Sequence, residues 1–273
     1  MNKRLKNTII CCLLVVFIFF LIYAIFKINN YSIQVNSNEN SNSLNNKKIG
    51  WGIRRGKNNE QPDLGKENIE NMKKHGGYAI GNKENKSVYL TFDEGYEAGF
   101  TERLLEILNQ NDVKAAFFIT AHYLNSQEDL VKKIIDQGHI IGNHTVNHKS
   151  MPDLSDDQVK EEIMRLHKGL FDKFKYEMKY FRPPRGEYSE RTLAITKGLG
   201  YKTVMWSFAY EDFNERNQKS EEFAKKIILD NIHNGSIILL HGNSKTNTDV
   251  LDEVIKEIKN RGYEFKSLDE FEL

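Results

Sequence analysis

Short apolar runs alternate with helical patterns from Ser87 to the C-terminus of this 273-residue chain. The run at residues 88–92 is followed at 101–109 by leucines at helical spacing, and the same order recurs along the chain. Strands that alternate with helices form parallel βα units, and short apolar strands suit a sheet covered on both faces. Seven such units predict an α/β fold with a closed or partly open βα barrel. A doubly wound open sheet is the alternative.

The N-terminus carries an uncharged apolar run at residues 9–26, preceded by Lys3, Arg4 and Lys6. As a helix this run would span about 27 Å, close to the roughly 30 Å hydrocarbon core of a bilayer. The positive charges favour a cytoplasmic start, and no small-residue cleavage site follows. We expect residues 1–28 to be a cytoplasmic stub and single-pass transmembrane signal anchor, with a cleaved signal peptide or a buried helix as alternatives. The remainder would then lie outside the cytoplasm.

Composition divides the rest of the chain into three parts. Residues 29–48 are rich in Asn and Ser, which predicts a flexible linker. Residues 49–86 are mixed and glycine-rich, so we expect an irregular extension packed on a catalytic domain at 87–273. Both cysteines, Cys11 and Cys12, lie in the apolar run, which excludes an internal disulfide and a cysteine-ligated zinc from the domain. The net charge of +1 gives no indication of nucleic-acid binding.

Polar side chains with catalytic potential gather where the predicted strands end. Parallel βα barrels build their active sites at the C-terminal ends of their strands. A random scatter of polar residues would not produce this coincidence. The residues concerned are Asp93 and Glu94 after the first strand, His144 after the third, Arg182 at the end of the fourth, Trp206 at the end of the fifth and His241 after the sixth.

A metal site is predicted by two histidines and two adjacent carboxylates. His144 and His148 are four residues apart, and neutral imidazole suits Zn²⁺, Co²⁺ or Fe²⁺. Of Asp93 and Glu94, one would bind the metal while the other accepts a proton from metal-bound water. His241 would then protonate the leaving group. This combination predicts metal-assisted hydrolysis.

A rigid basic turn follows the fourth predicted strand. Two prolines fix the backbone of the turn between Arg182 and Arg185. An inward-pointing Arg182 would hydrogen-bond Asp93 and keep it ionised. Solvated arginines on a stiff loop are the alternative, and Trp206 is either a core residue or a wall of the pocket.

Five motifs in this order resemble the polysaccharide deacetylase family, carbohydrate esterase family four. The resemblance covers residues 87 to the C-terminus and implies a distorted (β/α) barrel of seven to eight units and a metal-dependent hydrolase that removes acetyl groups from amino sugars. It implies Asp93 as base, His144 and His148 as ligands of Zn²⁺ or Co²⁺, His241 as acid and Arg182 as the partner of Asp93. The motifs are Thr91-Phe92-Asp93-Glu94-Gly95, His144-Thr145-Val146-Asn147-His148, Arg182-Pro183-Pro184-Arg185-Gly186, Trp206 with Asp212-Phe213, and Leu239-Leu240-His241.

Two further roles follow from the same resemblance, and one residue departs from it. Trp206 would line the pocket, and Asp212 would orient His241. The family usually has Asp where this chain has Glu94, and the resemblance assigns that position to the metal. One extra C–C bond moves the carboxylate by about 1.5 Å. We therefore expect that Glu94 either binds the metal after a backbone adjustment or leaves a site that binds it weakly.

A narrower resemblance extends from Thr91 through Tyr96 to Thr101. This run is similar to the delta-lactam-forming de-N-acetylases of spore-cortex peptidoglycan, which also depart from Asp at the second position. It implies that the substrate is N-acetylmuramic acid in glycan strands whose peptide an amidase has removed. Arg185 and Tyr96 would contact that substrate, Arg185 through the lactyl carboxylate. The implied place is the space between forespore and mother-cell membranes.

Two other functions remain open from the sequence. One is a general deacetylase of N-acetylglucosamine in peptidoglycan or of chitooligosaccharides. The other is a non-catalytic wall-binding module with a degenerate site, which Glu94 keeps possible.

Overall fold

The computed structural model describes residues 44–273. Its strands and helices alternate from residue 87 onward, as the sequence predicts. The strands are β1 (Ile49–Gly50), β2 (Ser87–Glu94), β3 (Ala116–Ile119), β4 (Ile140–Asn143), β5 (Tyr180–Phe181), β6 (Glu187–Tyr188), β7 (Lys202–Thr203), β8 (Ser236–His241) and β9 (Glu264–Phe265). The helices are α1 (Lys66–His75), α2 (Thr101–Gln110), α3 (Ala121–Ser126), α4 (Glu128–Asp136), α5 (Asp156–Phe174), α6 (Glu190–Gly198), α7 (Glu221–Asn231) and α8 (Lys245–Asn260).

The main sheet is parallel and has seven strands. Its order is β7-β5-β4-β3-β2-β8, and β9 pairs with the start of β2. In this order β2 is flanked by β3 and β8, so the ends of these three strands lie side by side. The parallel βα architecture predicted from the alternation is therefore confirmed.

The two edges of the sheet approach each other through the segment that follows β7. Phe208 forms a parallel bridge with Ile238 of β8, and the Leu239 amide donates to the Phe208 carbonyl at 2.9 Å. The sheet is thus curled into a distorted, incompletely closed barrel. The edge strand β7 and its neighbour β5 are only two residues long, so the Phe208–Ile238 bridge provides the contact between the two edges.

Side chains alternate between the two faces of β2. Leu90 and Phe92 pack in the apolar layer shared with the helices, whereas Tyr89 packs with Phe118 in a second cluster inside the curled sheet. Strand geometry places residues of equal parity on one face. The inner face of β2 therefore carries residues 89, 91 and 93.

Serine side chains cap the helices predicted to begin after them. Ser155 accepts from the Gln158 amide and forms a capping box at the start of α5. Ser189 does the same for α6, and Ser220 caps α7. These caps satisfy amide groups that a helix start leaves unpaired, which is why the sequence located the helices well. The sequence pattern predicts the last helix at Thr248–Arg261, whereas helix α8 begins three residues earlier, at Lys245.

The segment before the barrel is more ordered than its composition indicated. Residues 49–86, expected to be irregular, contain helix α1 and strand β1, which pairs antiparallel with β6. The last residues assigned to the linker also contact the domain, since Asn46 donates to the Pro152 carbonyl at 3.0 Å. Within 44–273 no helix is long and apolar enough to cross a membrane. The predicted anchor lies outside the described residues.

Candidate active site

Asp93 and Arg182 form a buried ion pair at the C-terminal end of the sheet. The Arg182 Nη1 donates to Asp93 Oδ1 at 2.8 Å, and its Nη2 donates to the Thr91 hydroxyl at 2.9 Å. Its Nε donates to the Val204 carbonyl at 3.1 Å, and the guanidinium lies 4.1 Å from the Phe118 ring centroid. Arg182 is fully buried, and Asp93 is the only charged group among these contacts. The positive charge of Arg182 therefore acts mainly on Asp93.

The environment of Asp93 favours the ionised form. Burial by itself raises the pKa of this carboxyl, but the positive charge of Arg182 opposes it, followed by His144 and His241. The net effect is a pKa below the ordinary value for Asp. A buried carboxylate that stays ionised and has one oxygen anchored suits a general base.

His144 and His148 lie beside Asp93 on a tightly held loop. The His144 Nδ1–H donates to the Arg182 carbonyl at 2.8 Å, which leaves the Nε2 lone pair 3.5 Å from Asp93 Oδ2. The two imidazole rings are 4.8 Å apart between centroids. Thr145 and His148 have positive φ, and the Thr145 hydroxyl accepts from the His148 amide.

Both imidazoles are suited to metal binding. Burial lowers the pKa of His144, and it lowers the pKa of His148 to about 4, so both rings are neutral at physiological pH. A neutral ring whose Nδ1 is bonded to a carbonyl offers its Nε2 to a metal. Within the described part of the chain, however, no group of three His, Cys, Asp or Glu side chains is close enough to share an ion. Two imidazoles, those of His144 and His148, could hold a metal at this position.

Glu94, predicted as the third metal ligand, is not brought to these imidazoles. It extends β2 by one more residue, so it faces the helix layer with Leu90 and Phe92. Its carboxyl packs so closely on Gly242 that a Cβ there would lie 1.8 Å from Oε1. Burial, and then the charges of Glu97 and Asp93, raise the pKa of Glu94 well above its usual value. The placement does not support a ligand role.

His241 and Asp212 form a second hydrogen-bonded pair at this end of the sheet. His241 lies opposite Asp93 in the β2–β8 register, so both side chains face the inside of the barrel. The His241 Nδ1–H donates to Asp212 Oδ1 at 2.7 Å, and the His241 amide donates to Oδ2 at 2.9 Å. Burial lowers the pKa of His241, but Asp212 outweighs it and the net pKa lies above the ordinary value. The geometry suits a general acid oriented by Asp212.

The predicted substrate residues lie around this centre. Tyr96 is half exposed, and its hydroxyl accepts a hydrogen bond of 2.9 Å from Asn243. Asn243 lies two residues after His241 in the sequence. The Trp206 ring lies 5.8 Å from the Arg182 guanidinium. Arg185 is exposed, and no carboxylate among residues 44–273 is within salt-bridge distance of it. Its positive charge nevertheless lowers the pKa of His148.

Three supporting residues were not predicted from the sequence. Thr91 holds Arg182, and Asn247 donates to Asp212 Oδ2 at 2.5 Å. Glu162 accepts from the Asn147 amide at 2.8 Å and so fixes the histidine loop. The position of Thr91 in the site could have been predicted, because Thr91 lies two residues before Asp93 and therefore on the same face of the strand. Glu162 and Asn247 lie inside helices and carry no local signal.

Comparisons with known proteins place this geometry in a family. The polysaccharide deacetylase model matches residues 80–204. An uncharacterised 30.6 kDa protein of Geobacillus stearothermophilus is 44% identical over 84% of this chain and 87% of its own length. The peptidoglycan-N-acetylmuramic acid deacetylase PdaA of Bacillus subtilis is 39% identical over 82% of this chain and 86% of its own. The solved PdaA structure, a family 4 carbohydrate esterase, superposes with a TM-score of 0.81 at 38% identity, covering 84% of this chain and 98% of that one.

Sequence and architecture agree with the arrangement of base, acid and imidazoles at the sheet end. The identity to the Bacillus subtilis relative extends well beyond the motifs, over most of both chains. The protein is a hydrolase of carbon–nitrogen bonds other than peptide bonds, and the chain belongs to the polysaccharide deacetylase family.

Proposed function

We propose that the protein removes the acetyl group from N-acetylmuramic acid residues of peptidoglycan. The observation that carries this proposal is the convergence of Asp93, His144, His148 and His241 at one sheet end, beside an arginine with a free guanidinium. The relative named for the same reaction supports the choice of substrate. The protein's own side chains account for most of the chemistry.

Two imidazoles would hold the metal, and Asp93 would activate the nucleophile. Zn²⁺, or Co²⁺, bound by His144 and His148 would polarise the acetyl carbonyl and acidify a water molecule. Asp93 accepts the proton of the attacking water through Oδ2, because Oδ1 is engaged by Arg182. Since Arg182 keeps Asp93 ionised, the base is ready before the substrate arrives.

His241 completes the reaction as the acid. Its Nδ1–H is committed to Asp212, so only Nε2 can deliver a proton to the leaving amine nitrogen. The carboxylate of Asp212 stabilises the protonated ring, which keeps that proton available near neutral pH. Base and acid thus have opposite protonation states at the same pH.

Arg185 would make the protein prefer muramic acid over glucosamine as its substrate. The lactyl carboxylate is absent from glucosamine, and a free guanidinium can pair with it in a bidentate manner. After deacetylation the freed amine can attack the lactyl carboxyl group, so that the lactam C–N bond forms while the carboxyl C–O bond breaks and one water molecule leaves. This requires that an amidase has first removed the peptide, because the peptide occupies that carboxylate. Such chemistry fits spore cortex and a domain that a membrane anchor at 9–26 would hold outside the cytoplasm.

A cavity near His241 offers room for a neighbouring sugar of the glycan strand. It has a volume of about 400 Å³ and is lined by polar and aromatic side chains, among them Tyr96, Asn243 and Gln218. Asn243 of the lining donates to the Phe213 carbonyl at 3.2 Å, and the Phe213 ring lies 5.4 Å from the His241 ring, so a polymeric substrate that reaches His241 would extend along the cavity. This gives Tyr96 its proposed contact with the substrate.

The test is acetate release from peptide-free glycan strands, combined with mass spectrometry of the digested products. We expect acetate and muramic lactam from the wild-type protein, loss of both with a metal chelator, and recovery when Zn²⁺ is added. Asp93→Asn should lower the rate by at least about 10²-fold. Acetate release from glucosamine residues alone would contradict the substrate, and absence of acetate from any glycan would contradict the reaction.

A further inference from the structure

The loop that carries Arg185 adopts a backbone conformation that needs support from elsewhere. Arg185 has φ of 60°, and Gly186 follows with φ of 64°. A residue with a side chain pays about 1–2 kcal/mol for the left-handed region. Such strain persists only where neighbouring structure determines the conformation. The direction of the Arg185 side chain therefore depends on what packs against the loop.

The main support comes from Trp51, which lies before the residues matched by the family model. The Trp51 amide donates to the Gly186 carbonyl at 2.8 Å. Next to this bond, Gly50 pairs with Glu187 and Ile49 with Tyr188 in the β1–β6 ladder. Residues 49–51 of the extension therefore pair with the backbone of residues 186–188, directly after Arg185.

The Trp51 side chain links the same loop to Trp206. Its indole Nε1–H donates to the Trp206 carbonyl at 2.9 Å, and the two rings meet edge to face at 6.5 Å. Gly186 lies between them: a Cβ there would be 2.7 Å from the Trp206 ring and 3.0 Å from Trp51 Cβ. Trp51 therefore packs the arginine loop against the pocket wall.

Lys48, the last residue of the segment assigned to the linker, engages two acidic side chains near the loop. Lys48 Nζ lies 2.5 Å from Asp153 Oδ2 and 3.8 Å from Glu187 Oε2. The positive charge of Arg185 also acts on Asp153 and lowers its pKa, after the larger effect of Lys48. Because Lys48 engages Asp153, the guanidinium of Arg185 stays available to an anionic ligand.

We propose that Trp51 is a positioning residue for substrate recognition: it holds Arg185 where the guanidinium meets the lactyl carboxylate of muramic acid. The inference rests on the proposed function and extends it to a segment outside the matched residues. Trp51 does not touch the reacting atoms. Its removal should therefore weaken binding of the carboxylate-bearing substrate and leave the chemical step on other substrates intact.

The test compares kcat and KM of full-length variants on two substrates, peptide-free muramic glycan and chitooligosaccharide. We expect Trp51→Ala to raise KM for the muramic substrate about tenfold, the effect of losing one charge-assisted contact. Its kcat and KM on chitooligosaccharide should stay within about twofold of wild type. Arg185→Ala should raise KM for the muramic substrate by at least as much.

Two further variants separate positioning from general damage. Leu64→Ala truncates a buried side chain in the same apolar cluster of the extension and should alter both substrates equally. Trp51→Phe keeps the aromatic packing and loses only the indole hydrogen bond, so it should raise KM for the muramic substrate by about threefold even where Trp51→Ala is too unstable to purify.

The outcomes also distinguish this inference from the proposed function. A wild-type protein that does not favour the muramic substrate would contradict the function itself. If Arg185→Ala loses the preference and both Trp51 variants retain it, the positioning role is wrong. It is equally wrong if Leu64→Ala reproduces the selective loss.

Discussion

The adjacent carboxylates of Asp93 and Glu94 lie on opposite faces of one strand. Asp93 points into the curled sheet and pairs with Arg182, whereas Glu94 packs on Gly242 beneath the helix layer. The reason is the two-residue period of an extended strand. A strand that ended at residue 92, as the apolar run predicts, would let both carboxylates share one site. Because β2 runs through Glu94, only one of them does.

Glu94 and His148 should therefore respond differently to substitution. Glu94→Gln keeps the shape of a side chain that packs on Gly242 and faces away from the imidazoles, so bound metal and the rate of acetate release should stay within about twofold of wild type. His148→Ala should lower the metal affinity by about 10–100-fold or more. Metal content after dialysis, measured by elemental mass spectrometry, checks both. Loss of metal from Glu94→Gln alone would restore it as a ligand.

Asp212 should set the alkaline limit of activity. His241 acts as an acid only while protonated, and its raised pKa extends that form above pH 6.5. Asp212→Asn removes the charge that raises this pKa, so the alkaline limb of kcat/KM should move to lower pH. Profiles of kcat/KM against pH test this. A limb that does not move would show that another group controls it.

At the scale of elements, α5 supports the histidine loop from outside. Glu162, in the second turn of α5, accepts from the loop amide of Asn147, and the Val146 amide donates to the Glu162 carbonyl at 3.1 Å. The capping box at Ser155 fixes where that helix begins. The loop geometry thus depends on a helix that contributes no catalytic group.

Removal of the Ser155 cap should affect stability more than catalysis. Ser155→Ala should lower the free energy of unfolding by about 1 kcal/mol, because an amide at the helix start loses its partner. Acetate release at saturating substrate should remain within about twofold, since the first turn is distant in sequence from Glu162. Urea denaturation and initial rates provide the two measurements. A selective loss of rate would mean that the cap positions the histidines.

For the whole molecule, the extension belongs to the folded domain. Leu64 and Met72 are buried with Tyr188, Leu193 and Met205 in a cluster that joins the extension to the barrel. A fragment of residues 45–273 should unfold cooperatively, whereas a fragment that begins at residue 80 exposes this cluster. Loss of two buried side chains of this size costs about 4 kcal/mol or more. Thermal unfolding followed by circular dichroism compares the two fragments. Equal midpoints would contradict the assignment.

The order of strands, helices and catalytic groups was accessible from the sequence, because each depends on local pattern. Period and capping residues located the elements from residue 87 onward, and polar residues at strand ends indicated the site. The extension was not accessible in the same way. Helix α1 has a glycine before it and no side-chain cap, so nothing local marks its start.

Only the tertiary structure decided on which face of the sheet a residue lies and which distant residues it contacts. The contact of Glu94 with Gly242, the hydrogen bond from Asn247 to Asp212 and the contact of Trp51 with the arginine loop join residues far apart in sequence. Local pattern carries the period of a strand, but the point at which the strand ends depends on pairing with its neighbours. The sequence by itself determined the parallel βα architecture and the candidate base, acid and imidazoles. Packing across the barrel determined which of the predicted groups meet.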